Sequence, residues 1–330
     1  MKAAYLCDQK HCIDLVYSKE NQAKLAEMFD FYEGIYTKEE SDKLKDVECL
    51  FSSWGFPEYT EEEIKEYFPK LKVVFYGAGT VQYFARPFLN LGISVISAWC
   101  ANSVPVVEAS VAQIVLANKG FFQSARMVKS PEDHRIANEY FRAFPGNYGC
   151  RVGLIGLGAI GSEVAERLKA YRLEVCAYDP FASQEKADRL GVKLVGLEEL
   201  FETCQTISNH VANLPETVGM LNGNLFNRMK SNATFINTGR GAQVVEADLI
   251  AALNDQPGRT AVLDVTFPEP PVECSVLYDM PNVILTPHMA GSTGDECMRL
   301  GNYIFGEAER FLANEPFKYL VSLKMLETMA

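Results

Sequence analysis

Between residues 152 and 161 the chain reads Val152-Gly153-Leu154-Ile155-Gly156-Leu157-Gly158-Ala159-Ile160-Gly161. Three glycines spaced G-x-G-x-x-G follow a short apolar run and open an amphipathic one. Glycine turns are common, so it is the placement that gives the spacing its meaning. Gly156 permits a tight turn, Gly158 lets backbone approach a pyrophosphate, and Gly161 lets a helix pack closely on a strand. Ala159 and Ile160 then fall in the first helical turn, where free N–H groups and the positive dipole end face phosphates. The placement predicts a strand–turn–helix unit that holds a dinucleotide. Asp179 ends the next β-branched run, 18 residues after Gly161, where a carboxylate can accept from adenosine ribose hydroxyls. No arginine adjoins it, and the first base beyond it is Lys186, so a 2′-phosphate is disfavoured and NAD is expected over NADP.

The rest of the chain alternates short β-branched runs with longer helical ones, which is the pattern of α/β architecture. Strands are predicted at residues 3–7, 47–52, 72–76 and 93–97, and again at 151–155, 174–178, 206–210, 233–237, 260–265 and 283–286. Helical spacing covers 60–68, with Thr60 as N-cap and Glu63 three residues on, and also 103–118, 160–171, 246–253 and 294–312. Continuous apolar strands separated by helices imply a parallel sheet covered on both faces. The longest uncharged stretch, residues 87–107, contains Asn90, Gly92, Asn102 and Pro105. Those residues favour a strand and loops over a membrane span.

Composition narrows the partners. Twenty Phe, 15 Tyr and 2 Trp in 330 residues exclude a disordered chain, and the length suits two domains. The net charge of −12 repels a phosphate backbone, so nucleic acid is not an expected partner. Met1 to Asp8 reaches an acid too early for a secretory signal, and the nine cysteines show no C-x-x-C pair. Core thiols in a cytoplasmic protein, with no metal site and no membrane, are the expectation.

Three chemically useful side chains follow predicted strands. Arg240 lies in Thr238-Gly239-Arg240-Gly241, Glu269 in Phe267-Pro268-Glu269-Pro270-Pro271, and His288 in Thr286-Pro287-His288-Met289. Open α/β sheets bind ligands beyond the carboxyl ends of their strands. A base, a carboxylate and a fixed cation gathered there are what carbonyl reduction requires. His210 reads as a neighbour of the cofactor rather than an acid–base group, and His11 and His134 read as surface residues.

In order and spacing these motifs, with His210-Val211-Ala212-Asn213-Leu214-Pro215-Glu216-Thr217, resemble the NAD-dependent D-isomer-specific 2-hydroxyacid dehydrogenases over roughly residues 71–312. The resemblance implies a doubly wound parallel-sheet Rossmann domain at 103–291. A smaller α/β, flavodoxin-like substrate domain would span 1–102, completed by 292–330. It also implies hydride transfer between NAD(H) and a 2-hydroxy acid/2-oxo acid pair, and a homodimer packed across the long first helix of the nucleotide domain. Arg240 would hold the substrate carboxylate, His288 would carry the proton, and Glu269 would orient the imidazole. Thr238, Gly239 and Asp264 would join His210 beside the cofactor, and backbone N–H groups of Ala78 and Gly79 would meet the substrate. Asn102 and Glu108 fit the family's entry into the long helix.

Departures from the family pattern touch the substrate. Thr80-Val81-Gln82 stands where many members carry Asp. Phosphoglycerate dehydrogenases commonly place Arg where Ser52 and Tyr76 stand here, and Trp54 and Phe56 follow shortly. Loss of two guanidinium forks favours a non-phosphorylated 2-oxo acid against an aromatic surface. The rival reading is an NAD-sensing, corepressor-like binding protein without turnover. Glu269 speaks against formate dehydrogenase, which resembles this chain in fold but has Gln at that place.

Overall fold

The computed structural model describes residues 1–327, and the chain divides into two compact units, Met1–Val104 with Ser292–Ala330 and Pro105–Gly291. The first unit carries a five-stranded parallel sheet: β1 (Lys2–Leu6), β2 (Asp30–Tyr36), β3 (Cys49–Ser52), β4 (Val73–Tyr76) and β5 (Ser94–Ser97). Its order, β2-β1-β3-β4-β5, is the flavodoxin-type doubly wound order. Strands β3 and β4 are buried at every residue, because helices cover both faces. One face packs Leu50, Val74, Phe84 and Phe88. The other packs Phe51 and Phe75 against Leu300, Ile304 and Ala308 of the helix Cys297–Ala313. That helix sits so close that a Cβ on Gly301 would lie 2.2 Å from the Val16 carbonyl oxygen.

Local signals explain the helix starts. The helix Glu61–Tyr67 begins in a capping box, with Thr60 accepting from the Glu63 N–H at 3.2 Å and Glu63 accepting from the Thr60 N–H at 2.8 Å. The uncharged stretch is more ordered than its composition predicts. It spans the end of the helix Ala85–Asn90, strand β5 and the first half of the helix Trp99–Ala117. Asn102 and Pro105 thus lie in a helix, not a loop; Pro105 sits inside it, six residues past its start, and gives up the one N–H that would have met the carbonyl four residues back. Among the described residues this is the helix long and apolar enough to cross a membrane by length and composition.

The second unit carries seven parallel strands: β6 (Tyr148–Ile155), β7 (Arg172–Tyr178), β8 (Lys193–Leu194), β9 (Thr206–Asn209), β10 (Thr234–Asn237), β11 (Thr260–Leu263) and β12 (Val283–Leu285). The order β12-β11-β10-β9-β6-β7-β8 is that of a doubly wound dinucleotide-binding sheet with one further strand. The winding reverses between β6 and β9, so a crevice opens beyond their carboxyl ends. The sequence places the glycine fingerprint after one of these strands and His210 after the other.

Candidate active site

The fingerprint glycines divide their labour as steric arithmetic shows. Gly156 has φ +89°, a left-handed conformation that only glycine adopts cheaply. A Cβ on Gly161 would stand 2.0 Å from the Gly156 carbonyl oxygen, so the helix Ala159–Leu168 can begin that close to the turn only with glycine there. A Cβ on Gly158 would meet nothing within 4 Å. Gly158 and Ala159 are exposed at the helix N-terminus, and Ile160 is half-buried. Space stands open there for a ligand, and the helix dipole favours an anion in it.

Asp179 closes the loop at the end of β7. Its carboxylate accepts from the N–H groups of Leu157 (2.7 Å), Phe181 (2.8 Å) and Ala182 (3.1 Å). Lys186 is nearer than its sequence separation suggests, because the helix Gln184–Leu190 turns it back to donate to the Leu157 carbonyl at 2.5 Å. His210 is buried beside the fingerprint, with its Cβ 3.6 Å from where a Gly161 side chain would start. Neither ring nitrogen has a hydrogen-bond partner, and burial pushes its pKa down to about 4. A neutral imidazole with idle polar atoms and an open glycine cradle fits a dinucleotide, whose polar groups would supply the missing partners.

Arg240, Glu269 and His288 come from the exits of β10, β11 and β12, which are neighbours in the sheet. His288 Nδ1 pairs with Glu269 Oε1 at 2.6 Å, and both side chains are exposed. That contact leaves Nε2 outward. Burial pushes the Arg240 guanidinium below its usual value while the charge of Glu269 opposes the shift. The guanidinium stays charged and donates to the Gly239 carbonyl at 2.8 Å.

Asp264 has a use that its motif does not announce. Its carboxylate accepts from the Thr286 hydroxyl (2.6 Å) and from the N–H groups of Met289 (2.8 Å) and Ala290 (2.9 Å). It therefore anchors the loop that carries His288. Thr238 is buried, with its hydroxyl 3.2 Å from that of Ser110, and Gly239 donates its N–H to Asn237 Oδ1 at 3.0 Å. His11 and His134 lie on the surface.

In the first unit, Ser97 donates to the carbonyls of both Ala78 (2.9 Å) and Gly79 (2.7 Å), turning them inward. Ser52 donates to the Leu6 carbonyl and Ser53 to that of Gly77. Phe56 and Tyr76 belong to the core around Phe84, so the expected aromatic surface shrinks to the half-buried Trp54. Their burial follows from position, since Tyr76 ends a strand covered on both faces.

Residues 111–290 match the NAD binding domain of the D-isomer specific 2-hydroxyacid dehydrogenases, and the chain belongs to that family. NAD is accordingly its cofactor. The chain is 34% identical over 238 residues to the D-3-phosphoglycerate dehydrogenase of Archaeoglobus fulgidus, covering 72% of this chain and 44% of that protein. With the enzyme of the same name from Methanocaldococcus jannaschii the identity is 32% over 294 residues, covering 88% and 54%. The chain thus spans about half the length of these relatives. The fold matches the D-mandelate dehydrogenase of Rhodotorula graminis with a TM-score of 0.82, at 20% identity and 97% coverage of both chains.

Proposed function

We propose that this chain is an NAD-dependent oxidoreductase that interconverts a D-2-hydroxy acid and its 2-oxo acid. The pairing of His288 with Glu269 at 2.6 Å, one strand exit from Arg240, carries this reading. NAD would accept or deliver the hydride at the substrate carbon. Glu269 holds Nδ1, so His288 presents Nε2 to the substrate oxygen, donating a proton in reduction and removing one in oxidation. Arg240 holds the carboxylate and polarises the carbonyl through its planar fork. In the first unit the N–H groups of Ala78 and Gly79 are the candidate backbone donors for substrate, with Ser97 fixing their carbonyls. Gly156, Gly158, Ala159, Ile160, Gly161, Asp179 and His210 line the nucleotide site, with Thr238, Gly239 and Asp264 shaping its inner wall.

The substrate class is non-phosphorylated. No Lys or Arg occurs in residues 52–56 or 76–83, so the loops after β3 and β4 offer no guanidinium fork for a phosphate. The names of the relatives favour the opposite, 3-phosphohydroxypyruvate. Catalytic efficiency for pyruvate-type 2-oxo acids against 3-phosphohydroxypyruvate, followed by NADH oxidation, decides between them. A clear preference for the phosphorylated compound overturns the substrate reading. NADH binding with no turnover of either class overturns the enzymatic one in favour of a nucleotide-sensing protein.

The protein works as a cytoplasmic homodimer on this reading. All nine cysteines are free and seven are buried, which suits a reducing compartment. Leu116, Phe121, Ile136, Phe141 and Tyr148 expose apolar surface along the long helix and the segment after it, which suits a paired face.

A further inference from the structure

We propose that Gln243 is a positioning residue for Arg240, locking its loop to the neighbouring strand exit; the inference rests on the reading of Arg240 as the carboxylate-binding residue. Buried amides, rather than apolar packing, join the loops that leave β9 and β10. Gln243 is fully buried at the end of the turn Gly241–Gln243. Its Nε2 donates to the carbonyls of Val211 (2.8 Å) and Ala212 (2.9 Å). Its Oε1 accepts from Asn209 Nδ2 (2.6 Å) and from the Arg240 backbone N–H (3.3 Å). A primary amide offers two donors and two acceptor sites, and all four are used.

Asn237 completes the frame. Its Nδ2 donates to the Arg240 carbonyl at 3.1 Å, while its Oδ1 accepts from the Gly239 N–H and from Asn209, both at 3.0 Å. Both backbone polar groups of Arg240 are therefore held by buried side-chain amides. Holding the Arg240 N–H alone would need only one acceptor. Gln243 instead reaches across to the loop of His210, so the substrate-holding residue is registered against the loop that lines the nucleotide site. The far side of the turn is closed as well, since a Cβ on Gly241 would lie 2.0 Å from the Thr266 carbonyl carbon. Glutamate at 243 would aim a carboxylate at two carbonyl oxygens, and methionine would leave four polar groups to find other partners.

Displacement of a binding group by about 1 Å can cost on the order of 10²-fold, so the effect should fall on substrate rather than nucleotide. Oxamate, a 2-oxo acid mimic with a carboxylate, serves as the probe alongside a 2-oxo acid substrate. Gln243→Met should raise KM and the oxamate inhibition constant by roughly 10–100-fold, lower kcat by about 3–10-fold as the carbonyl loses part of its polarisation, and leave the NADH dissociation constant within about 2-fold. In the Arg240→Lys background, which lacks the planar fork, the same substitution should cost less than about 3-fold, because the two changes act through one group. If Gln243→Met does not fold, the isosteric Gln243→Glu takes its place in the cycle. Equal cost in both backgrounds, unchanged KM, or a matching loss of NADH affinity overturns the proposal. Should Arg240→Lys itself leave KM and oxamate inhibition at parent values, the carboxylate reading of Arg240 fails first, and this proposal with it.

Discussion

His288 holds φ at +55°, a left-handed backbone that a residue with a Cβ adopts at a cost of order 1–3 kcal/mol. The conformation persists because Glu269 fixes the ring and Asp264 fixes the two amides that follow. On the proposed mechanism, His288→Ala lowers turnover by roughly 10²–10⁴-fold. NADH affinity, measured by fluorescence titration, should stay near the parent value. A mutant that turns over at the parent rate removes His288 from the proton path. At the ribose, Asp179→Ala should narrow the preference for NADH over NADPH by weakening NADH binding; comparable parent affinities for both would refute the ribose role. Residue identities at these positions are legible in sequence because glycine, arginine and histidine do chemistry few others can. Partners are not legible. Nothing in the spacing reveals that Lys186 folds back onto Leu157, or that Asp264 serves the histidine loop, since both depend on how separate loops converge.

Loops between strands carry the chemistry, and a few side chains tie them together. Asp264, at the exit of β11, accepts three hydrogen bonds from the segment beyond β12. Asp264→Ala leaves those donors without their acceptor, at about 1–3 kcal/mol for each one that stays buried and unpaired. Thermal melting should fall by several degrees, and kcat should drop at least tenfold as the loop of His288 loosens. Unchanged kcat would show that the loop holds its shape without the carboxylate. Strand positions emerge from sequence where burial is complete: β3, β4, β9, β10 and β11 are buried at every residue and read as unbroken apolar or small-polar runs. Strand β2 escapes the same reading because it is a sheet edge, and the half-exposed Asp-Phe-Tyr-Glu-Gly-Ile-Tyr has no continuous apolar run. Strand β8, two residues long at the other sheet's edge, is too short to carry a pattern.

Across the whole molecule, the buried His210 links stability to pH. Its folded-state pKa of about 4 lies below the ordinary value of 6.5, so between those pH values the unfolded chain binds a proton that the folded chain refuses. The neutral imidazole's contribution is full above about pH 6.5 and is lost as pH falls toward 4, a difference of about 3 kcal/mol. Without nucleotide, His210→Asn should flatten the loss of melting temperature between pH 7 and 4.5 relative to the parent; parallel pH profiles would place that linkage elsewhere. The first unit also closes late. One face of its sheet is only partly covered until Leu300, Ile304 and Ala308 arrive, and the core on the other face is incomplete until Val321 and Leu326 do. Val321 donates to the Val95 carbonyl at 2.9 Å and so fastens the returning segment beside β5. A ribosome making this chain releases the entire second unit before it supplies those residues. The nascent first hundred residues must therefore wait with that core incomplete, Phe75 still lacking Phe311, and this half of the molecule has most to gain from a chaperone during synthesis.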